Sequence, residues 1–388
     1  MTRPRIAVVH DWLDTWRGGE NVLAEILRVY PDADLFALVD FLDDDLRARL
    51  GGKRAATSFL QRLPGARRHF RMLLPLFPRA IESLEVSAYD LVISSSHAVA
   101  KGVRTTTGQV HVCYCHTPMR YAWDLRGQYL GASGLASGLR GALAGRVLDR
   151  LRDWDRRTSD RVTHFVANSQ FIRSRIARCY GREATVIYPP VDVGFFVPAQ
   201  DTPAPAARDY YVTASRWVPY KRVDLIVAAF RDLPERRLVV VGDGPERRRV
   251  RAVAGPNVAF VGEISRERLR EQLRGARAFV FAAEEDFGML PVEAQACGTP
   301  VIAYGQGGSL ETVRGRDTAA ATGMFFDPQT PAAIAGAVRA FDGPLQTIRT
   351  ADCRANAERF AAERFRAELA AFVDRARGES ATTVAQRS

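Results

Sequence analysis

Two glutamates that lie eight positions apart, Glu285 and Glu293, flank a segment of mixed glycine and apolar residues. The segment follows an apolar run that ends near Phe281, and Pro291 suits the first turn of a helix. This pattern predicts a loop that enters a helix, with the backbone amides of residues 288–290 at the helix N-terminus, where anions are favoured. Carboxylates accept hydrogen bonds from vicinal hydroxyls, so the pair can bind two parts of one sugar-containing ligand. The alternative is an ordinary pair of exposed glutamates near a helix start.

Two cations, Arg216 and Lys221, follow a predicted strand at residues 210–214. They stand where a helix is expected to begin, and a positive charge there opposes the helix dipole. An anion between them would remove this conflict, because arginine offers a planar fork to phosphate and lysine a point charge. A solvated basic turn is the alternative.

Two glycine turns and a histidine also lie at the ends of predicted strands. The sequence Gly-Asp-Gly-Pro at residues 242–245 marks a tight turn before a helix and is weakly specific by itself. Gly18 and Gly19 follow the first predicted strand and allow the backbone to approach a phosphate or a sugar, although a plain glycine turn explains them equally well. His116 ends another predicted strand, where its imidazole can hydrogen-bond a substrate hydroxyl; a lone histidine is more often structural.

The elements that must position these residues alternate between strand and helix. Short apolar runs predict strands at residues 5–10, 35–39, 91–94, 110–114, 164–166, 185–188, 210–214, 237–241, 258–261, 278–281 and 300–303. Helical patterns predict helices at residues 20–30, 141–157, 170–180, 222–231, 246–254, 266–275, 291–297, 332–341 and 351–377. This alternation predicts an α/β fold with parallel sheets covered on both faces, in which ligands bind beyond the carboxyl ends of the strands.

A proline-rich segment divides the chain. Residues 189–208 hold five prolines, and the alternation restarts after them. We therefore expect two doubly wound, Rossmann-like domains that face each other across a cleft, the first at 1–190 and the second at 209–365, with a linker at 191–208. Residues 366–388 are expected to form the end of a C-terminal helix, which packs back on the first domain, and a frayed tail.

Composition and charge exclude several classes of protein. The 388 residues include 55 basic and 44 acidic side chains, a net charge of +11, and 47% hydrophobic residues, which excludes intrinsic disorder and a disulfide-stapled miniprotein. Only three of the basic residues are lysines, which fits a GC-rich coding bias. However, residues 1–190 hold 28 basic and 19 acidic side chains, whereas residues 191–388 hold 27 and 25. Nine basic residues also lie between Asp45 and Glu82 with no acid among them, which indicates attraction to an anionic partner.

No targeting segment and no cysteine cluster stand out in the sequence. The first apolar run is too short for a secretory signal, and no apolar stretch reaches the ~20 residues that span a bilayer, so we expect a cytoplasmic protein. The five scattered cysteines are expected to be reduced and buried.

Taken together, in this order and spacing, the motifs resemble the retaining glycosyltransferases of family 4, which have the GT-B fold. The resemblance extends over nearly the whole chain. It rests on Gly18–Gly19, residues 116–118, Asn168–Ser169, residues 188–192, Arg216, Lys221, residues 242–245 and residues 285–303. Residues 116–124 and 283–288 look most like the bacterial O-antigen and exopolysaccharide mannosyltransferase subgroup.

The resemblance implies a role for each matching residue. Arg216 and Lys221 would neutralise the donor diphosphate and then the leaving nucleoside diphosphate. Glu285 would bind hydroxyls of the donor sugar, Glu293 the ribose diol, and His116 the sugar near its reacting carbon. The other implied donor-binding residues are Gly18, Gly19, Phe287, Gly288, Met289 and Leu290. No protein nucleophile and no cofactor are implied, because the leaving phosphate can act as the base on the same face of the sugar.

The implied reaction is transfer of a hexose, preferably mannose from GDP-mannose, to a lipid-linked or soluble saccharide in bacterial surface polysaccharide synthesis. The alternatives are a UDP-sugar donor, a hydrolase, phosphorylase or epimerase of the same fold, and a basic nucleic-acid-binding protein. The absence of a recognisable nucleic-acid module argues against the last of these. The string Asp43-Asp44-Asp45 matches the metal-binding Asp-x-Asp of the other glycosyltransferase fold, but it lies away from the other motifs, so we expect no metal.

The same resemblance suggests a role for the basic segment between Asp45 and Glu82. Residues 67–78 mix arginines with large apolar residues, as in GT-B enzymes that dock their first domain on a membrane. We therefore expect residues 47–79 to contact anionic lipid on the inner face of the cytoplasmic membrane, where each basic residue adds roughly 1 kcal/mol. The alternative is a core helix with an arginine face.

Overall fold

The computed structural model describes residues 4–124, 138–200, 204–343 and 348–385. The chain divides into two compact units, the first formed by residues 1–188 with 365–388 and the second by residues 189–364. The proline-rich segment 191–208 thus belongs with the second unit.

A seven-stranded parallel sheet in the order β3-β2-β1-β4-β5-β6-β7 forms the centre of the first unit. Its strands are β1 (Ile6–His10), β2 (Asp34–Ala37), β3 (Ala56–Thr57), β4 (Leu91–Ser96), β5 (Val110–Cys115), β6 (His164–Ala167) and β7 (Ala184–Val186). Its helices are α1 (Gly18–Val29), α2 (Asp44–Ala48), α3 (Ala66–His69), α4 (Phe77–Glu82), α5 (Arg120–Trp123), α6 (Gly138–Thr158) and α7 (Gln170–Tyr180). The strand order reverses between β1 and β4, and this topological switch point is where α/β sheets bind ligands.

A six-stranded parallel sheet in the order β10-β9-β8-β11-β12-β13 forms the second unit. Its strands are β8 (Tyr210–Ala214), β9 (Arg237–Val241), β10 (Val258–Gly262), β11 (Ala276–Phe281), β12 (Val301–Tyr304) and β13 (Gly323–Phe326). Its helices are α8 (Val223–Arg231), α9 (Arg247–Ala252), α10 (Arg266–Gly275), α11 (Met289–Ala296), α12 (Ser309–Thr312), α13 (Pro331–Phe341) and α14 (Thr350–Glu358). The switch point of this sheet lies between β8 and β11.

The central strands are buried on both faces, as is usual in parallel sheets, whereas the edge strand β10 is partly exposed. All six residues of β4 are buried, and its register aligns Ile93 with Val8 of β1 and with Val112 of β5. Such strands read as continuous apolar runs, which is why the alternation in the sequence predicted an α/β fold correctly. The two short strands β3 and β13 were not predicted.

The C-terminal region differs from the prediction in two respects. Helical structure continues to Ala385, past the expected helix end at residue 377. The single helix expected at residues 351–377 is two helices, α14 and α15 (Ala362–Ala385). The break occurs because the Phe360 carbonyl accepts a hydrogen bond from the Val191 amide at 2.8 Å, and Ala361 forms a β-bridge with the same residue. The expected packing of the C-terminal helix on the first domain is confirmed, since Phe365 and Leu369 of α15 are buried in the core of the first unit.

Candidate functional site

The candidate residues of the second unit lie at the switch point of its sheet. Arg216 and Lys221 follow β8, whereas Glu285 and the first turn of α11 follow the neighbouring strand β11. The Lys221 ammonium forms an ion pair with the Glu285 carboxylate, and the two side chains are 16% and 17% exposed. The fold thus brings together a cation that can bind phosphate and a carboxylate that can bind sugar hydroxyls.

Arg222, the residue after Lys221, has an unusual backbone conformation and a side chain anchored by Gln329. Lys221 ends a short 3₁₀ turn, and Arg222 has a φ of 52°, which makes it the one non-glycine residue with positive φ among those described. Arg222 donates to Gln329 Oε1 at 3.2 Å, and Gln329 donates to the Ala282 carbonyl at 2.7 Å. Backbone conformations of this kind cost roughly 1–3 kcal/mol and concentrate at functional sites. Neither Arg222 nor Gln329 was predicted as a functional residue.

The glycine turn at residues 242–245 supports the loop that carries Arg216. Gly242 has a φ of 109°, and a Cβ atom there would overlap the carbonyl oxygen of Ser215. A Cβ atom on Gly244 would lie 2.8 Å from the backbone nitrogen of Trp217. Both glycines therefore allow the loop at residues 242–245 to approach the loop at residues 215–217 closely. This contact explains why glycines occur in a motif that was weakly specific in the sequence.

A second glycine pair, Gly307 and Gly308, supports the loop that carries Glu285. The Gly308 amide donates to the Glu285 carbonyl at 2.8 Å, and a Cβ atom on Gly307 (φ of 67°) would lie 2.5 Å from the same oxygen. A Cβ atom on Gly308 would overlap the backbone of Phe287. This pair was not predicted, although two adjacent glycines four residues after the predicted strand at residues 300–303 were an available signal.

The start of α11 offers backbone amides to a ligand, whereas the Phe287 ring is not available for ligand contact. The helix begins at Met289, two residues before the predicted start, with Gly288 as its N-cap at a φ of 86°. Amides in a first helical turn lack intrahelical acceptors, so the Gly288, Met289 and Leu290 N–H groups suit an anion. The Phe287 ring is buried and lies 5.3 Å from the Phe360 ring, so its donor-binding role would involve backbone atoms only.

The side chains of Arg216 and Glu293 form no hydrogen bond or ion pair with other residues in the described parts of the chain. Arg216 is exposed, and its guanidinium makes no hydrogen bond or ion pair there. Glu293 lies in α11, where burial raises the pKa of its carboxyl to about 7, with Arg266 opposing this shift and Asp192 adding to it. The Glu293 carboxylate therefore gains from any ligand that supplies hydroxyl donors.

In the first unit, Gly19 lies beside two histidines, His10 and His116, at the switch point of the sheet. Gly18 and Gly19 are the first residues of α1 rather than loop residues. A Cβ atom on Gly19 would lie 3.7 Å from Cε1 of His10 and 3.9 Å from Nε2 of His116. The Ser95 hydroxyl at the end of β4 lies 2.8 Å from His116 Nε2 and 3.0 Å from His10 Nδ1. The predicted residues Gly19 and His116 are therefore neighbours.

His116 is a neutral imidazole in this setting. Burial, with further contributions from His97 and His10, lowers its pKa to about 3. At neutral pH the ring can exchange hydrogen bonds with a ligand, but it does not supply a positive charge.

An ion pair between Asp11 and His97 fixes the loop after β4. The Asp11 carboxylate accepts hydrogen bonds from the four amides of residues 97–100 at 2.6–3.0 Å and lies 2.9 Å from His97 Nδ1. Burial opposes ionisation of both groups, but the attraction between the carboxylate and the imidazolium is stronger. The pKa of Asp11 is therefore lowered and the pKa of His97 is raised. Asp11, His97, His10 and Ser95 were not predicted as functional residues, although all four lie at or just after the ends of predicted strands.

The acidic run at residues 43–45 begins a helix. Asp43 is the N-cap of α2, and its carboxylate accepts the Leu46 amide at 2.8 Å. Across the described ranges, no group of three or more His, Cys, Asp or Glu side chains is arranged to hold a metal ion. The five cysteines are free and buried.

The basic segment at residues 47–79 is exposed in most, but not all, of its length. Arg47 is buried and donates to both carboxylate oxygens of Asp40, at 2.7 and 3.0 Å, so its predicted membrane contact is wrong. Lys53 donates to the Ala33 carbonyl at 2.8 Å. The exposed basic residues are Arg49, Arg54, Arg62, Arg67, Arg68, Arg71 and Arg79. In the part of the chain with described structure, no helix combines the length and apolar character needed to cross a bilayer.

Two family models match the chain, and together they extend over most of it. The model described as "Glycosyltransferase Family 4" matches residues 4–195, and "Glycosyl transferases group 1" matches residues 199–343.

Curated proteins with similar sequences include two glycosyltransferases. A GDP-mannose-dependent alpha-(1-6)-phosphatidylinositol monomannoside mannosyltransferase of Mycobacterium tuberculosis is 30% identical over 240 residues, which are 55% of this chain and 61% of that protein. A D-inositol 3-phosphate glycosyltransferase of Kineococcus radiotolerans is 30% identical over 243 residues, which are 53% of this chain and 54% of that protein. The chain thus spans less than two thirds of the length of the curated relatives that it matches.

Solved structures with a similar fold cover nearly the whole chain. Anabaena HepE in complex with UDP has a TM-score of 0.69 and 17% identity, covering 95% of this chain and 99% of that one. Sucrose-phosphate synthase from Thermosynechococcus elongatus has a TM-score of 0.69 and 19% identity, covering 96% and 99%. At this identity the likeness establishes the fold, which is the predicted GT-B arrangement of two Rossmann-like domains.

Proposed function

We propose that this chain, which belongs to glycosyltransferase family 4, transfers a hexose from a nucleotide sugar to a saccharide with retention of configuration. The observation that carries the proposal is the Lys221–Glu285 ion pair at the switch point of the second sheet. Arg216 follows the same strand as Lys221, and the first turn of α11 follows the same strand as Glu285. A diphosphate and a sugar are the ligands that such a set of groups fits.

The proposed chemistry is electrostatic. Departure of a nucleoside diphosphate places negative charge on phosphate oxygens, which Lys221, Arg216 and the first-turn amides of α11 would stabilise. Without ligand, Lys221 and Glu285 neutralise each other; when the donor binds, the ammonium would turn to the diphosphate and the carboxylate to the sugar hydroxyls. The acceptor hydroxyl would lose its proton to the leaving phosphate on the same face, so no protein nucleophile is required.

The remaining predicted residues would orient the donor. Glu293, with its unpaired carboxylate, would accept hydrogen bonds from the ribose diol. Neutral His116 would contact the transferred sugar, and Gly18 and Gly19 would allow the donor and acceptor to approach it closely. The proposal requires no metal and no organic cofactor, since the positive charges come from the chain itself.

Mannose from GDP-mannose is the donor that we propose. Its support is the name of the mycobacterial relative, which is a GDP-mannose-dependent mannosyltransferase. The second candidate is a UDP-sugar, which is favoured by HepE, whose structure was determined with UDP and with UDP-glucose.

A donor screen tests the proposal. The full chain is incubated with GDP-mannose, UDP-glucose, UDP-galactose or UDP-N-acetylglucosamine and a saccharide acceptor, and the released nucleoside diphosphate is measured. Release of GDP that requires both the acceptor and Lys221 supports the proposal, with Lys221→Ala as the matched inactive control. Release from UDP donors alone would reject mannose but not glycosyl transfer, and release from no donor would reject both.

We further propose that the acceptor is lipid-linked and that the first unit meets an anionic membrane. Beside the exposed arginines, Met72 is 77% exposed, and Phe59 and Leu76 also present apolar surface. A cavity of about 470 Å³ lies next to Met72, between Leu63 and Leu73. Exposed apolar side chains among cations are typical of surfaces that bind lipid.

A further inference from the structure

A chain of polar contacts connects Glu20 to His116 within the first unit, and we call it the His116 relay. Glu20 Oε1 lies 3.8 Å from His10 Nε2, His10 Nδ1 lies 3.0 Å from Ser95 Oγ, and Ser95 Oγ lies 2.8 Å from His116 Nε2. His10 and Ser95 are completely buried, and Glu20 is 5% exposed. Water therefore does not compete with these contacts.

The direction of the hydrogen bonds follows from Glu20. The negative charge of the Glu20 carboxylate lies 3.8 Å from His10 Nε2, beyond hydrogen-bond range, and it favours a proton on this nitrogen by electrostatic attraction. His10 Nδ1 then carries a lone pair and accepts the Ser95 hydroxyl proton. The Ser95 oxygen in turn accepts a proton from His116 Nε2, which leaves the lone pair of His116 on Nδ1.

We propose that Glu20, His10 and Ser95 hold His116 in the tautomer protonated on Nε2, so that Nδ1 accepts a hydrogen bond from a hydroxyl of the transferred sugar. The identity of this ligand rests on the proposed function, whereas the tautomer does not. Glu20, His10 and Ser95 are positioning residues, because they act through His116 rather than on the sugar.

A second serine–histidine pair shows what a purely structural arrangement looks like. Ser94, adjacent to Ser95 in β4, lies 2.8 Å from Nε2 of His111. The other ring nitrogen of His111 is also used, since Nδ1 lies 3.2 Å from the Arg161 carbonyl. In contrast, His116 Nδ1 makes no hydrogen bond to any described residue, so one nitrogen is left for a ligand.

The two carboxylate oxygens of Glu20 have separate roles. Its Oε2 accepts the Arg17 amide at 2.8 Å and thereby caps α1, while its Oε1 faces His10. The substitution Glu20→Gln keeps the cap, because glutamine serves equally in a capping box. The amide nitrogen then replaces the negatively charged oxygen opposite His10 Nε2, so the charge that favours a proton on this nitrogen is lost. With the lone pair on His10 Nε2, the two hydrogen bonds of Ser95 reverse and the His116 proton moves to Nδ1.

The test measures the tautomer by ¹⁵N NMR of the full chain labelled at histidine, with the His116 signals assigned from His116→Asn. We expect Nε2 to be protonated in the wild type and Nδ1 in Glu20→Gln. A wild-type His116 protonated on Nδ1, or a tautomer that does not change in Glu20→Gln, would overturn the proposal. This measurement needs no substrate, so it stands even if the donor screen fails.

Turnover gives the second readout. Ser95→Ala and Glu20→Gln should each lower kcat by roughly 10–100-fold, the usual effect of a group that orients a functional side chain, with little change in the KM of the donor. Ser94→Ala is the matched control, since it breaks a buried serine–histidine bond of equal length in the same strand. If Ser94→Ala lowers kcat as much as Ser95→Ala does, the relay is structural only and the proposal is wrong.

Discussion

At the scale of single residues, the Lys221–Glu285 ion pair matters more for ligand binding than for the stability of the fold. Partly exposed ion pairs stabilise a fold by about 1 kcal/mol or less, so this pair contributes little to stability. Its position after two adjacent strands, however, places both charges where α/β sheets bind ligands.

Lys221→Ala should therefore lower kcat by roughly 10²–10³-fold, the usual loss when one group that stabilises developing negative charge is removed. Its unfolding temperature should stay close to that of the wild type. Steady-state kinetics and thermal denaturation check both statements. Arg247→Ala, which removes an exposed ion pair with Asp243 in the same unit, serves as the control and should keep full activity. Wild-type turnover in Lys221→Ala would remove this residue from the mechanism.

The raised pKa of Glu293 makes stability depend on pH. The folded protein holds a proton on this carboxyl up to about pH 7, whereas the unfolded chain releases it near 4.5, so stability falls as pH rises between these values. Glu293→Gln should remove this loss and stabilise the unliganded protein at pH 8 by up to roughly 3 kcal/mol, with little effect at pH 4. Urea denaturation at both pH values measures the difference. An equal effect at pH 4 and pH 8 would show that ionisation of Glu293 is not the cause.

Residues whose types are unusual for their positions could be predicted from the sequence. Residues that matter because of their contacts with distant parts of the chain could not. Lys221 was noticed because lysine is rare in this chain and conflicts with a helix start. His10, Ser95 and His97 looked ordinary, because only the order of the strands, with β1 beside β4 beside β5, brings them next to His116. Strand order depends on long-range pairing, which a local pattern does not contain.

At the scale of elements, glycines set the distance between the loops of the second unit. A side chain on Gly308 would meet the backbone of Phe287, which cannot move without shifting the loop that bears Glu285. Gly308→Ala should therefore weaken nucleotide-sugar binding at least tenfold and lower stability by roughly 1–3 kcal/mol.

A matched control for this glycine is Gly336→Ala in α13, where nothing lies within 4 Å of the added Cβ atom. Alanine favours a helix over glycine by roughly 1 kcal/mol, so this variant should be more stable than the wild type and bind donor normally. Isothermal titration with the donor and denaturant unfolding compare the two variants. Unchanged binding in Gly308→Ala would show that the loop tolerates displacement.

The elements themselves were largely predictable, with instructive exceptions. Buried parallel strands and amphipathic helices leave periodic patterns, and these gave the α/β fold and most strands. The break between α14 and α15 left no such pattern, because it depends on Val191, which pairs with Phe360 and Ala361 across a long stretch of chain. Arg47 was assigned to the surface for a similar reason, since its partner Asp40 lies before the acid-free segment.

At the scale of the whole molecule, the net charge of +11 is unevenly placed, and its exposed part lies largely in the first unit. The surface formed by Arg62, Arg67, Arg68, Met72 and Leu76, which we call the basic apolar face, combines cations with exposed apolar side chains. Nucleic acid would use the cations alone, whereas an anionic membrane would use both kinds of group.

Binding to vesicles separates these two partners. The full chain should co-sediment with vesicles that contain anionic lipid and not with neutral vesicles, and binding should weaken at high salt because surface attraction is screened. The double variant Arg67→Glu with Arg68→Glu should lose at least tenfold in binding, and Met72→Ser should weaken it without a change in charge. Arg248→Glu with Arg268→Glu is the matched control, since it changes the net charge equally through two exposed arginines of the second unit. Equal losses in both double variants would mean that total charge, and not the basic apolar face, governs binding, and the membrane proposal would then be wrong.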